Sequence, residues 1–154
     1  MKGNEKLLKV LNHLLADELT AINQYMVHAE MCHNWGYEKL HQNIQKRAIT
    51  EMKHAEKLIE RIIFLEGKPI VSQLNPMHIG DEVPKMMQND LAAEMGAVKG
   101  YNTGVKVAVE AGDNATREIL EGILKDEDGH VDDIESHRDE IEQMGLQIYL
   151  STQK

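Results

Sequence analysis

Several things are scarce in this chain, and each scarcity excludes something. Cysteine occurs once, at Cys32, so no disulfide framework can form within the chain, which suits a reducing compartment. Proline occurs three times, at 69, 76 and 84, all in one stretch; everything outside it is free to run in long helices. Positive charge is in deficit: 17 Lys and Arg stand against 26 Asp and Glu, for a net charge of −9. Such a chain has little reason to bind nucleic acid, which rewards Lys and Arg. The negative excess serves either solubility or the attraction of cations. No apolar run approaches the roughly 18 residues of a membrane span, and the opening MKGNEKLLKV lacks the apolar core of a signal peptide. The expected location is the cytoplasm, with no membrane association.

What is present is helix-forming. The 154 residues are 42% hydrophobic and 28% charged, enough for one domain, residues 1–154, with a real core. Ala, Leu, Met, Glu and Lys are abundant, and all are good helix formers. Four long helical patterns run from about Glu5 to Asn34, Glu38 to Glu66, Asp81 or Glu82 to Glu110, and Asn114 to Met144. Gly36, Gly67 with Pro69, Gly112 and Gly145 punctuate them, and Asn114 is the expected cap of the fourth. A short fifth helix is expected in LQIYLSTQ.

Loop length sets the topology. The short connections at 35–37 and 111–114 make each helix pair antiparallel. The second helix is roughly 42 Å long at 1.5 Å per residue. The stretch 68–81 can extend to roughly 46 Å, so it can cross the whole bundle and set the second and third helices parallel. The predicted fold is therefore all-α: a four-helix bundle with one long crossover and a short fifth C-terminal helix, the ferritin-like arrangement.

Steps of three and four residues trace the buried seam of each helix. The seams read Leu7, Leu11, Leu14, Glu18, Ala21, Tyr25; Ile44, Ala48, Glu51, Ala55, Leu58, Ile62, Leu65; Met87, Leu91, Glu94, Val98, Tyr101, Val105; and Leu120, Ile123, Glu127, His130, Ile134. Each helix thus places one glutamate among apolar residues, with His130 in the seam and His54 one turn from Glu51. The lysines and arginines read onto other faces. Four buried unpaired carboxylates are very costly. Either they are protonated, or the bundle is wet, or cations fill it; two divalent ions would balance four carboxylates and two neutral imidazoles.

Spacing favours the third option. Glu51/His54 and Glu127/His130 are both E-x-x-H, and 127 − 51, 130 − 54 and 94 − 18 all equal 76. This is the pattern of two related hairpins around a pseudo-twofold site. E-x-x-H alone selects nothing, since Glu30/His33 and Glu38/His41 also match; those lie beside the first turn, outside the seams, and read as surface side chains. Carboxylates with one imidazole per metal suit iron or manganese. Glu51 and Glu127 would bridge two ions, with Glu18 and His54 completing one and Glu94 and His130 the other. Tyr25 is placed to hydrogen-bond a site carboxylate, to serve as a nearby electron donor, or simply to fill the core. The other histidines, at 13, 28, 33, 41, 78 and 137, read as solvated or satisfied, and Cys32 as structural.

The stretches MKGNEKLLKVLNHLLADELTAINQY, EMKHAEKLIERIIFLEG, EDGHVDDIE and MGLQIYL resemble the bacterioferritins over nearly the whole chain. The resemblance implies a homo-oligomeric shell of 24 subunits built from dimers. It also implies a di-iron ferroxidase centre that oxidises Fe2+ with O2 or H2O2 for storage as ferric mineral. It further implies haem b between two subunits, held by a Met from each, here Met52, and aiding iron release with electrons from a donor protein. Met52 lies about 100° around the helix from Glu51, so it faces away from the seam. Some members of that family carry His and acidic residues on the cavity face of the second helix; here that face is read as Lys46, Arg47 and Thr50. Other readings of the same fold are a peroxidase-like di-iron enzyme, a non-catalytic bundle with protonated or wet core glutamates, and a DNA-coating mini-ferritin.

Overall fold

The structure, a computed structural model describing residues 1–154, contains five helices: α1 (Glu5–Asn34), α2 (Glu38–Phe64), α3 (Val83–Glu110), α4 (Asn114–Met144) and α5 (Leu146–Thr152). Each boundary has a local cause. The Asn4 side chain caps α1 by accepting from the Leu7 N–H at 3.0 Å. The second helix stops two residues short of the expected Glu66. Leu65 is its cap, and Glu66 turns left-handed at φ 59°, so that the Gly67 N–H reaches back to the Ile62 carbonyl. The third helix starts at Val83 with Pro84 in its first turn, where a missing N–H costs nothing. The fourth is capped by Asp113 rather than by Asn114, which is already helical.

Side-chain pairings give the helix directions. Tyr25 meets Glu94, His28 meets Asp90 four residues earlier on α3, and Leu14 lies against Gly104. Thus α1 and α3 are antiparallel. Glu18 lies against His54, and the Ala29 carbonyl accepts from His41, so α1 and α2 are antiparallel as well. The second and third helices therefore run parallel, as the crossover requires. No helix is long and apolar enough to cross a membrane.

A second face of α1 secures that crossover. Asn12, Thr20, Gln24 and His28 accept from the backbone N–H groups of Ile70, Asn75, His78 and Gly80 at 2.8 to 3.1 Å. Four donors of a loop with no secondary structure are thereby satisfied. Gly80 is confined there because a Cβ would collide with the Met86 backbone nitrogen.

The apolar core comes in two blocks. One contains Leu7, Leu11, Leu14, Leu58, Ile62, Leu120 and Ile123. The other contains Tyr25, Ile44, Met86, Met87, Ile134 and, from α5, Tyr149. On α3 the buried face is rotated from the expected seam: Asp90, Gly104 and Val107 are buried, whereas Leu91, Val98 and Val105 are only partly so. Small residues on that face bring α3 close to α1. Between the two blocks the bundle is polar.

Asp113 joins the two hairpins, accepting from the Thr116 N–H at 2.9 Å and from Arg61 of α2 at 3.0 Å. Asp113→Ala is expected to lower stability by about 1–2 kcal/mol through loss of the cap. Hydrogen bonds to Thr116 and the Arg61 charge outweigh burial and hold the Asp113 carboxyl below its ordinary range. Its contribution is therefore present above the unfolded-state value and lost as pH falls through the folded one. Denaturant melts should show the gap between variant and native chain at pH 7 closing in acid; equal midpoints at pH 7 would disprove the role.

Candidate metal centre

The polar layer between the two cores is built from one turn of each long helix. Glu18, Glu51, Glu94 and Glu127 are all buried, as is His54, and the His130 side chain is 17% exposed. Their donor atoms form two overlapping groups. Glu18, Glu51, His54 and Glu127 each offer an atom within 4.8 Å of the others, and so do Glu51, Glu94, Glu127 and His130. Glu51 and Glu127 belong to both. His54 Nδ1 lies 3.5 Å from Glu18 and 2.9 Å from Glu127; His130 Nδ1 lies 3.3 Å from Glu94 and 3.0 Å from Glu51.

These short separations are convergence, not hydrogen bonding. Oε2 of Glu18, Oε1 of Glu51, Oε2 of Glu94, both carboxylate oxygens of Glu127 and Nδ1 of both histidines are buried without a hydrogen-bond partner. Native interiors leave few such atoms unmatched, because each costs about 1–3 kcal/mol, and more if charged. Seven of them aimed at one volume fit divalent cations and fit nothing else within the chain.

The titration of the layer follows from its crowding. Burial raises Glu18 to about 7. Burial and the neighbouring carboxylates push Glu51 and Glu127 well above the ordinary range. At Glu94 burial is outweighed by contact with His130, which keeps the group below its ordinary value. At His130 burial is likewise outweighed, here by Glu51 and Glu94, and the imidazole rises to about 9. Protons therefore hold down the charge of the layer, and metal ions must displace them.

A second ring of side chains orients the first. Tyr25 Oη donates to Glu94 Oε1 at 2.7 Å, so this tyrosine does contact the site. Tyr101 donates to Glu18. The two tyrosines are also 76 residues apart (101 − 25), each bound to the glutamate of the other hairpin. That regularity was readable in the sequence, where Tyr101 passed for an apolar seam residue. Asp126 Oδ2 lies 2.9 Å from His54 Nε2. With its Nε2–H directed there, His54 presents the Nδ1 lone pair to the centre. Asp126 adjoins Glu127, but seam periodicity assigns it to the outer surface.

Arg47 requires a correction. It is not on the cavity face with Lys46 and Thr50 but buried, donating to Asp90 at 3.0 Å with its guanidinium 4.6 Å from the Tyr25 ring centroid. Asp90 also meets Gln24 at 2.9 Å and His28 at 2.8 Å. A buried arginine needs a partner that periodicity could not supply, because the rotation of α3 that turns Asp90 inward is a packing outcome.

A cleft of about 470 Å³ opens beside the centre, lined by Asp17, Thr20, Asn75, Gly96, Glu94 and Glu127 among others. On the opposite side of α2, Met52 is 45% exposed. By helical period it shares a face of α2 with exposed Ile49 and partly buried Ile59, and on α1 partly buried Leu19 and Ile22 share a face with exposed Met26.

A family model for the ferritin-like domain matches residues 8–144. A bacterioferritin of Rhodobacter capsulatus is 40% identical over 96% of this chain and 91% of its own length. A bacterioferritin of Brucella melitensis is 36% identical over 97% and 92%. A bacterial ferritin of Synechocystis is 40% identical over 99% of both chains.

Unmatched buried carboxylates are a liability to the metal-free fold. Glu127→Gln keeps the shape and removes one of them. The metal-free variant is expected to melt no lower than the metal-free native chain, while its binding of divalent ions weakens at least tenfold. A lower melting temperature together with unchanged metal affinity would show that Glu127 is a structural residue.

Proposed function

The chain belongs to the ferritin-like domain family and, within it, to the bacterioferritins, and from that premise we propose that it is an iron-storage protein with ferroxidase activity. The carrying observation is the pair of donor groups that share Glu51 and Glu127. Fe2+ is the substrate. One ion would take Glu18 and His54, the other Glu94 and His130, with the two shared glutamates between them. Four carboxylates offset two divalent charges, and the two imidazoles bind as neutral donors. Two Fe2+ give up two electrons in all. With two protons these reduce O2 to H2O2, or H2O2 to two waters. The Asp17-lined cleft offers Fe2+ a polar way in from the surface. Tyr25, hydrogen-bonded to Glu94, is an oxidisable side chain in contact with the site.

The same reading takes residues 1–154 as one domain of a cytoplasmic homo-oligomer, a 24-subunit shell built from dimers that holds the ferric product. Haem b is its second cofactor. The residue types fit such a group: a planar apolar macrocycle needs apolar walls and an axial donor, and Met52 offers an exposed thioether on the α2 face that also carries Ile49 and Ile59, with Leu19, Ile22 and Met26 as further apolar side chains on α1. Met52 from each of two subunits would hold it. When bound, haem supplies a one-electron path by which a donor protein returns electrons for iron release. The chain's own part is to exclude water from that face and present the sulfur.

Glu51→Ala or His130→Ala is expected to abolish rapid Fe2+ oxidation, followed by ferric absorbance after aerobic mixing; native rates would refute the assignment. Met52→Leu is expected to leave that rate unchanged but to remove the haem Soret band from a particle of several hundred kilodaltons. A colourless native dimer would count against both the haem and the shell.

A further inference from the structure

A second group of metal-ligating side chains lies at the turn between α1 and α2, far from the bundle centre. It consists of His33 from the last turn of α1 with Glu38 and His41 from the first turns of α2. One donor atom from each lies within 4.8 Å of the others. His41 is ten residues before Glu51 on the same helix, roughly 15 Å along its axis, so the two sites share no ligand.

The group is oriented, not merely crowded. The His41 ring is buried and its Nδ1 lies 2.8 Å from the Ala29 carbonyl oxygen. A carbonyl only accepts, so Nδ1 carries the hydrogen and the lone pair is on Nε2. This outer hydrogen bond to backbone is the one that fixes the tautomer of metal-binding imidazoles. The His33 ring stands over it, centroids 4.8 Å apart at 46°. His33 Nδ1 and Glu38 Oε2 are 2.9 Å apart, both at the solvent-facing side. The turn that sets this register is held by the Gly36 N–H on the His33 carbonyl and the Tyr37 N–H on the Cys32 carbonyl, with Gly36 at φ +83°. At the other end of the chain, the Gln153 carbonyl accepts from the Lys39 N–H and pins the start of α2.

We propose that His33, Glu38 and His41 form a solvent-accessible binding site for a divalent transition-metal ion, separate from the bundle centre. Two imidazoles and one carboxylate select borderline ions such as Zn2+ or Co2+ over Mg2+ and Ca2+, which prefer oxygen alone. Three protein donors leave positions for water, so the ion exchanges with solvent rather than being sealed in. Neither E-x-x-H match at this turn acts alone: the site takes His33 from one helix and the Glu38/His41 pair from the next.

The test is Zn2+ titration by calorimetry of the assembled, metal-stripped full chain, against the double variant His33→Ala/Glu38→Ala. Both side chains are about half exposed, so the fold should be unaffected. The native chain should bind one more Zn2+ per subunit than the variant, with excess Mg2+ failing to compete. The variant's affinity at that position should drop more than a hundredfold, beyond the ten- to hundredfold typical of losing an outer-shell partner. Its Fe2+ oxidation rate should match the native one, since neither residue touches the bundle centre. Identical Zn2+ stoichiometry and affinity in the two proteins would overturn the site.

Discussion

Four carboxylates and two imidazoles are held out of water in the middle of a helical bundle, and the rest of the molecule is arranged around that constraint. An apolar layer in their place would cost nothing in desolvation. The chain instead keeps seven buried polar atoms unmatched at one level and encloses them between two apolar blocks. The blocks supply the cohesion that the middle layer does not. They also fix the helix spacing, so that donors from four separate helices meet within a few ångströms.

The pseudo-twofold character extends beyond the six donors. Each half contributes a glutamate, an E-x-x-H pair and a tyrosine, and each tyrosine bonds the glutamate of the opposite hairpin. Crossed bonds of this kind couple the hairpins at the point where repulsion would otherwise separate them. The symmetry is broken in the surroundings. Tyr25 has the Arg47 guanidinium against its ring, with Asp90 and His28 behind it, whereas on the other side Asp126 backs His54. The two halves of the centre are therefore electrostatically distinct.

The outer faces carry different chemistry. Exposed methionines and isoleucines along α1 and α2 form an apolar strip suited to a second copy of the chain. The crossover, by contrast, is bound to α1 through side chains that accept from four of its backbone N–H groups, which ties an irregular segment to the bundle it crosses.

What the linear order determined was whatever repeats with helical period or depends on chain length. Glu18, Glu51, Glu94, Glu127 and His130 stand in apolar seams, and a connection long enough to cross the bundle forces the second and third helices parallel. Both follow from 3.6 residues per turn and 1.5 Å per residue. The 76-residue offset is equally visible, and it relates Tyr25 to Tyr101 as well. What only the tertiary structure decided depends on rotation and approach between helices. Asp90 faces inward from α3 and so gives Arg47 a buried partner. His33 meets His41 because a tight turn brings two helix ends together. Periodicity describes one helix at a time, and none of these contacts lies within one helix.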